Sequence, residues 1–292
     1  MATIKCNEPK YTILTSGGKP IANNVSAVDA AAALTSAVED DACPEPPEPL
    51  QGLRLTYTEG DLPAFDLATW NTFFDLPANG TAFTSIVTAG DEVTLIGGSG
   101  ITFKASLFRT SDKILKIEDD VDCVVAVGGG KNLGAVSLCP NLTTVTLNGV
   151  TTAGQEAFKD CTSLTTYTMW ALQTAGQDAF KDCTSLTTYT MPALQTAGSS
   201  CFYGCTSVTT FAMPALQTMG DNCFRLCTSL TTVTMPLLNA LGTTTGFDSV
   251  FDSCTALTSV TVPTALATVD AGNRDGDLVY ADGTLGATIT YV

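Results

Sequence analysis

Cysteines stand at positions 139, 161, 183, 205 and 227, each 22 residues after the last, and the residues between them repeat as well. A fixed period of this length admits few folds. One unit of 22 residues cannot close a core alone, so it must stack on its copies, and the chain becomes a solenoid with one continuous interior. The copies read CPNLTTVTLNGVTTAGQEAFKD from Cys139, CTSLTTYTMWALQTAGQDAFKD from Cys161, CTSLTTYTMPALQTAGSSCFYG from Cys183 and CTSVTTFAMPALQTMGDNCFRL from Cys205. The fifth, from Cys227, reaches Cys254 after 27 residues because residues 243–247 are inserted, and an incomplete sixth ends at Pro263.

Within a unit the pattern L-x-x-Y-x-M, as in Leu164, Tyr167 and Met169, alternates apolar with threonine. That places Tyr167 and Met169 inside and Thr166 and Thr168 outside, one short strand per coil in a parallel sheet. A second apolar set follows, Leu172, Ala175, Ala179 and Phe180, with Gly176 expected to end a turn before a short helical piece. Stacking predicts a buried ladder of Cys139, Cys161, Cys183, Cys205 and Cys227 beside a spine of Phe158, Phe180, Phe202, Phe224 and Phe251. The expected fold class is a leucine-rich repeat solenoid of 22-residue units, a parallel β-sheet with short helical or turn segments.

The run Leu172-x-x-Ala175-Gly176-x-x-Ala179-Phe180-x-x-Cys183, following its L-x-x-Y-x-M strand, resembles the BspA-like leucine-rich repeats over residues 139–263. Those repeats usually carry isoleucine before the glycine. The resemblance implies a surface protein that adheres to host molecules, as in bacteria and protozoa, and such proteins usually carry an export signal. Residues 1–20 are polar and broken by Pro9 and Gly17-Gly18, which does not read as a secretory signal.

The flanks differ from the repeats. Residues 1–50 are expected to be an N-terminal arm: an extended start, a helix over 26–40 opened by Ser26 and Asp29, and a proline-stiffened linker at 42–49. Residues 51–122 read as a small β-rich domain or cap, with strands at 53–58, 82–88, 92–96 and 101–107. Residues 123–127 are its last strand or a first coil; the solenoid is drawn over 123–263, and 264–292 supply a C-terminal cap of two strands. Residues 70–103 (WNTFFDLPANGTAFTSIVTAGDEVTLIGGSGITF) ahead of such repeats are similar to predicted virion proteins of tailed phages of gut bacteria. That resemblance implies a head fibre, decoration protein or tail adhesin, made in the host cytoplasm and joined to other virion proteins by the arm. The alternative is cell-surface display; a homo-oligomer fits either.

Charge and composition narrow the chemistry. The 292 residues carry 29 acidic against 13 basic side chains, a net charge of −16, which repels nucleic acid and anionic lipid. No run of apolar residues is long enough for a membrane span. The chain has no histidine, so imidazole-based triads and histidine-ligated metals are excluded. Eleven cysteines, an odd number without an export signal, read as reduced thiols used for packing. Cys201, Cys205, Cys223 and Cys227 could converge on zinc, but two of them hold the ladder position and two replace Ala157 and Ala179. Asn273, Asp275 and Asp277 lack the register of a calcium loop, Glu118, Asp119, Asp120 and Asp122 read as an exposed charged loop, and Gly128-Gly129-Gly130-Lys131 as a tight turn between coils. No cofactor and no catalytic constellation is expected.

With only 14% charged residues but 48 threonines, the surface must be covered by uncharged hydroxyls. Thr144, Thr146, Thr166, Thr168, Thr188, Thr190, Thr210, Thr232 and Thr234 should form two files on the exposed sheet, interrupted only by Ala212, with Trp170 at the edge as a stacking platform. Strand propensity alone would place threonine there. The functional reading is a hydroxyl-rich contact surface for a host glycan or protein.

Overall fold

The computed structural model describes residues 3–7, 10–14, 20–25, 52–61, 65–76, 79–119, 122, 124–129, 134–239, 250–264, 266, 277–279 and 285–291. They belong to two compact units, Met1–Leu50 and Gln51–Val292. In the first, β1 (Thr3–Asn7), β2 (Lys10–Leu14) and β3 (Pro20–Val25) pair antiparallel in that order. Residues 3–7, 10–14 and 20–25 therefore form a three-stranded sheet where an extended start was expected; their isoleucines, threonines, tyrosine and valine favour paired strands. The helix expected at 26–40 and the linker at 42–49 lie outside the described residues.

The second unit begins with β4 (Leu53–Tyr57), a short helix α1 (Leu67–Thr72) and β5 (Phe74–Asp75). Asp66 caps α1 by accepting a hydrogen bond from the Thr69 amide at 2.7 Å. There follow β6 (Ser85–Ala89), β7 (Glu92–Ile96), β8 (Ile101–Phe103), β9 (Ile114–Asp119) and β10 (Val124–Val127). The coils then alternate between two kinds of strand. The longer are β11 (Thr144–Thr146), β13 (Thr166–Thr168), β15 (Thr188–Thr190), β17 (Thr210–Ala212) and β19 (Thr232–Thr234). The shorter are β12 (Thr152–Ala153), β14 (Thr174–Ala175), β16 (Thr196–Ala197) and β18 (Thr218–Met219). The chain closes with β20 (Ser259–Val262), β21 (Asp277–Val279) and β22 (Leu285–Tyr291).

Three sheets result. One runs β6-β7-β4-β9-β11-β13, antiparallel among its first four strands and parallel thereafter; a second runs β5-β8-β10-β12-β14-β16-β18; a third runs β15-β17-β19-β20-β22-β21. Where strands of neighbouring coils pair, each residue meets its repeat equivalent, Thr166 with Thr144 and Thr196 with Thr174. Residues 53–119 thus continue the sheets of the coils, and β22 extends the last sheet beyond β20.

The interior is a set of files. Phe158, Phe180, Phe202, Phe224 and Phe251 stack nearly parallel, with successive ring centroids 5.3, 5.6, 5.4 and 5.4 Å apart. Beside them three ladder thiols donate to the carbonyl of the phenylalanine one coil back, Cys183 to Phe158, Cys205 to Phe180 and Cys227 to Phe202, all at 3.2 Å, while Cys161 donates to that of Val136 at 3.1 Å. Cysteine suits this position because it is small and apolar yet supplies one weak donor.

Two local expectations fail. The segment after Gly176 is a run of turns and not helical, because Asp178 and Asp182 sit in the left-handed region at φ 55° and 58°, which no helix tolerates. The equivalent residues Ser200 and Gly204 do the same at 54° and 71°. The acidic run 118–122 is not simply a solvated loop: Asp119 ends β9, is buried, and accepts the Val124 amide at 2.7 Å, tying β9 to β10.

Candidate binding face

The longer strands carry the candidate surface. Thr166, Thr210, Thr232 and Thr234 are exposed, and Thr144, Thr146 and Thr168 are half-buried, while the residues between them, Val145, Tyr167, Phe211 and Val233, point into the core. Strands β15 and β17 keep their place in the pairing, but the side chains of Thr188, Thr190 and Ala212 are not among those described. The expectation of files broken only at Ala212 needs correction. Among the described residues β13 and β15 do not pair, and the first and third sheets end against each other there. The break falls where two tyrosines adjoin, Tyr167 and Tyr189 at 5.2 Å, whereas the other coils place valine or phenylalanine at this position. Two phenol rings with buried hydroxyls need more room than valines, and the Tyr189 hydroxyl is held 3.2 Å from the Cys205 sulfur. The second sheet, continuous from β14 to β16, joins the coils across the gap.

A neighbouring file of threonines works on the backbone. Thr165 donates to the Thr143 carbonyl at 3.3 Å, Thr231 to Thr209 at 3.0 Å and Thr258 to Thr231 at 3.0 Å. Their hydroxyls are committed to joining coils.

Beyond each longer strand the chain turns a corner, occupied by Trp170 in one coil and by Pro192, Pro214 and Pro236 in the following ones, all exposed. Trp170 shows 52% of its surface and Leu237 56%, so the corner is an apolar ridge. On its far side lies a face missed at the sequence level: Thr174 and Thr196 of the shorter strands with Gln173, Gln195 and Gln217, all exposed. Its signal was the recurring Gln-Thr pair at 22-residue spacing, which two-residue strands are too short to reveal by alternation.

The charges are elsewhere. Between residues 139 and 239 the ionisable acids and bases are Glu156, Lys159, Asp160, Asp178, Lys181, Asp182, Asp221 and Arg225, all on the turn segments after the glycines. Lys159 pairs with Glu156 at 3.6 Å and Lys181 with Asp178 at 3.8 Å within one turn, and Arg225 with Asp252 of the next coil at 2.9 Å. Burial, helped by Asp160, pushes the Asp182 carboxyl up. The interior thiols are pushed further: burial raises Cys161, Cys183, Cys201 and Cys227 well above the ordinary thiol range and Cys205 to about 12. A protonated, fully buried thiol is no nucleophile. Among the described residues no group of three or more histidine, cysteine, aspartate or glutamate side chains is placed to hold a metal ion, and no helix is long and apolar enough to cross a membrane. Asn273 and Asp275 and the inserted residues 243–247 lie outside the described residues.

Residues 134–248 and 173–272 match the family described as BspA type leucine rich repeat region, in six copies. The repeats are of the BspA type. A leucine rich cell surface protein from Faecalibacterium prausnitzii is similar in fold, with 21% identity and a TM-score of 0.52 over 73% of this chain. The chain covers 55% of that protein's length, about half. A leucine rich repeat protein of T. pallidum aligns at 22% identity and a TM-score of 0.48, over 71% of this chain and 100% of its own. The chain has no match among curated proteins.

Proposed function

We propose that the chain is a non-enzymatic adhesion protein, displayed at a surface, whose BspA type repeats bind an uncharged partner across the two threonine faces and the Trp170 ridge. The observation that carries this reading is the segregation of charge: from Cys139 to Asn239 both strand faces lack any ionisable acid or base. Such a surface offers hydroxyls, amides and one aromatic plane, which match the hydroxyls and apolar ring faces of a neutral glycan or a polar protein surface. Protonated interior thiols and the absence of histidine support a role without catalysis.

Two placements are compatible with this role. The likeness of residues 70–103 to virion proteins supports a phage particle, with residues 1–50 joining it to other virion proteins. The BspA type repeats support the outer surface of a cell equally well. Labelled antibody in electron microscopy separates them, since it would decorate either particles or cell envelopes.

Adhesion is tested with a variant carrying lysine at positions 166, 168, 188 and 190. Binding of the labelled protein to host cells or a glycan array should fall at least tenfold while the circular dichroism spectrum is retained. Undiminished binding by the folded variant would move the contact off this face.

A further inference from the structure

Residues 57–113 line an open cleft with a volume of about 350 Å³. Part of its wall is aromatic: Phe65, Trp70 and Phe73 meet edge to face with centroids 5.4 to 5.7 Å apart, and Phe65 leaves 43% of its surface uncovered. Tyr57, Leu107 and Phe108 continue the apolar wall, and Arg109, Lys113, Asp61 and Ser111 supply its polar groups. Lys113 is already paired, to Asp61 at 3.2 Å and Asp112 at 3.9 Å. Among the described residues Arg109 has no ion pair, and its Nε is buried without a hydrogen-bond partner, as is the Nε1 of Trp70.

An arginine left without an anion is conspicuous in a chain with 29 acidic and 13 basic residues, where acidic partners outnumber cations about twofold. Keeping the Arg109 Nε buried and unpaired costs solvation that a bound carboxylate would restore through a charge-assisted hydrogen bond. Concave apolar walls with a few converging polar groups are the usual form of a small-molecule site, and 350 Å³ suits a single ring.

We propose that this cleft binds a small organic carboxylate, its ring against Phe65 and Phe73 and its carboxylate on Arg109. A sugar acid and an aromatic acid share that chemistry, and the test separates them. Glucuronate and benzoate, each beside its neutral counterpart, glucose and benzyl alcohol, are titrated into the full chain by calorimetry and ligand-observed NMR up to about 10 mM, enough to fill a millimolar site.

Saturable binding of either acid, at least tenfold tighter than its neutral counterpart, is expected, and the acid that binds identifies the class. Arg109→Gln should weaken it at least tenfold. Should that variant fail to fold, Phe65→Ala, a change at an exposed ring, decides by the same loss of affinity. Binding by neither acid, equal binding of the neutral compounds, or affinity unchanged in the folded variants would overturn the proposal.

Discussion

Phe180 lies between Phe158 and Phe202 and also touches Tyr167 and Tyr189 at 6.0 Å, so its ring is shared by three coils. Truncation leaves a void that stacked neighbours on both sides cannot close, because each is fixed by its own hydrogen-bonded coil. Phe180→Ala should therefore cost about 3 to 5 kcal/mol in urea unfolding. Thr166→Ala, on the exposed side of β13, should stay within about 0.5 kcal/mol. Equal losses at the two positions would mean that inside and outside are misassigned. Cysteine beside the spine has a role that alanine could not fill, since the carbonyl of each phenylalanine accepts the thiol of the next coil.

At the scale of elements, the turn that follows each glycine is the distinctive part. It places two residues per coil in the left-handed region, and the sequence supplies aspartate, asparagine, serine or glycine at most of them. Asp182 at φ 58° is replaced by Gly204 at 71° in the next coil. Asp182→Gly should accordingly cost less than about 1 kcal/mol, whereas Asp182→Val, with a branched side chain in that region, should cost about 1 to 3 kcal/mol. Denaturant midpoints of the two variants check this, and similar losses would refute the turn's account. Why the sequence suggested helix here is plain: Ala179, Phe180 and Cys183 have helical spacing, and backbone sign is not written in hydrophobicity. The longer strands were legible because Thr-x-Thr alternates about a buried residue. The two-residue strands were not, and β9 was hidden by Lys116, Glu118 and Asp119, although Ile114 and Ile117 are buried beneath it. The threonines of the candidate face could be named from the repeat alone. The break beside Tyr189 could not, because it depends on how two rings share one gap, and the cleft near Arg109 is assembled from segments that only antiparallel pairing brings together.

For the whole molecule, the buried thiols set a limit on alkaline stability. In the unfolded chain they ionise near pH 8.5, whereas burial holds Cys161, Cys183, Cys201, Cys205, Cys223 and Cys227 protonated to higher pH. The folded state then binds more protons than the unfolded one. The stabilisation is fully present below about pH 8.5 and is lost as pH rises towards 12, by up to about 1.4 kcal/mol per pH unit for each thiol. Urea midpoints should be level from about pH 7 to 8 and fall steeply above pH 9; a level profile to pH 11 would show that the thiols ionise in place.

The pairing of each residue with its equivalent 22 positions on has a further consequence, one for inheritance. Residues 161–169 and 183–191 are identical, CTSLTTYTM, so wherever their codons also match, the coding tracts are open to slipped copying. Gain or loss of one whole unit would leave the paired strands of neighbouring coils with the same kind of partner, the break between β13 and β15 aside. The number of coils is thus a trait that a lineage can alter in single steps, changing the reach of the stack by about 4.8 Å each time without inventing a new contact.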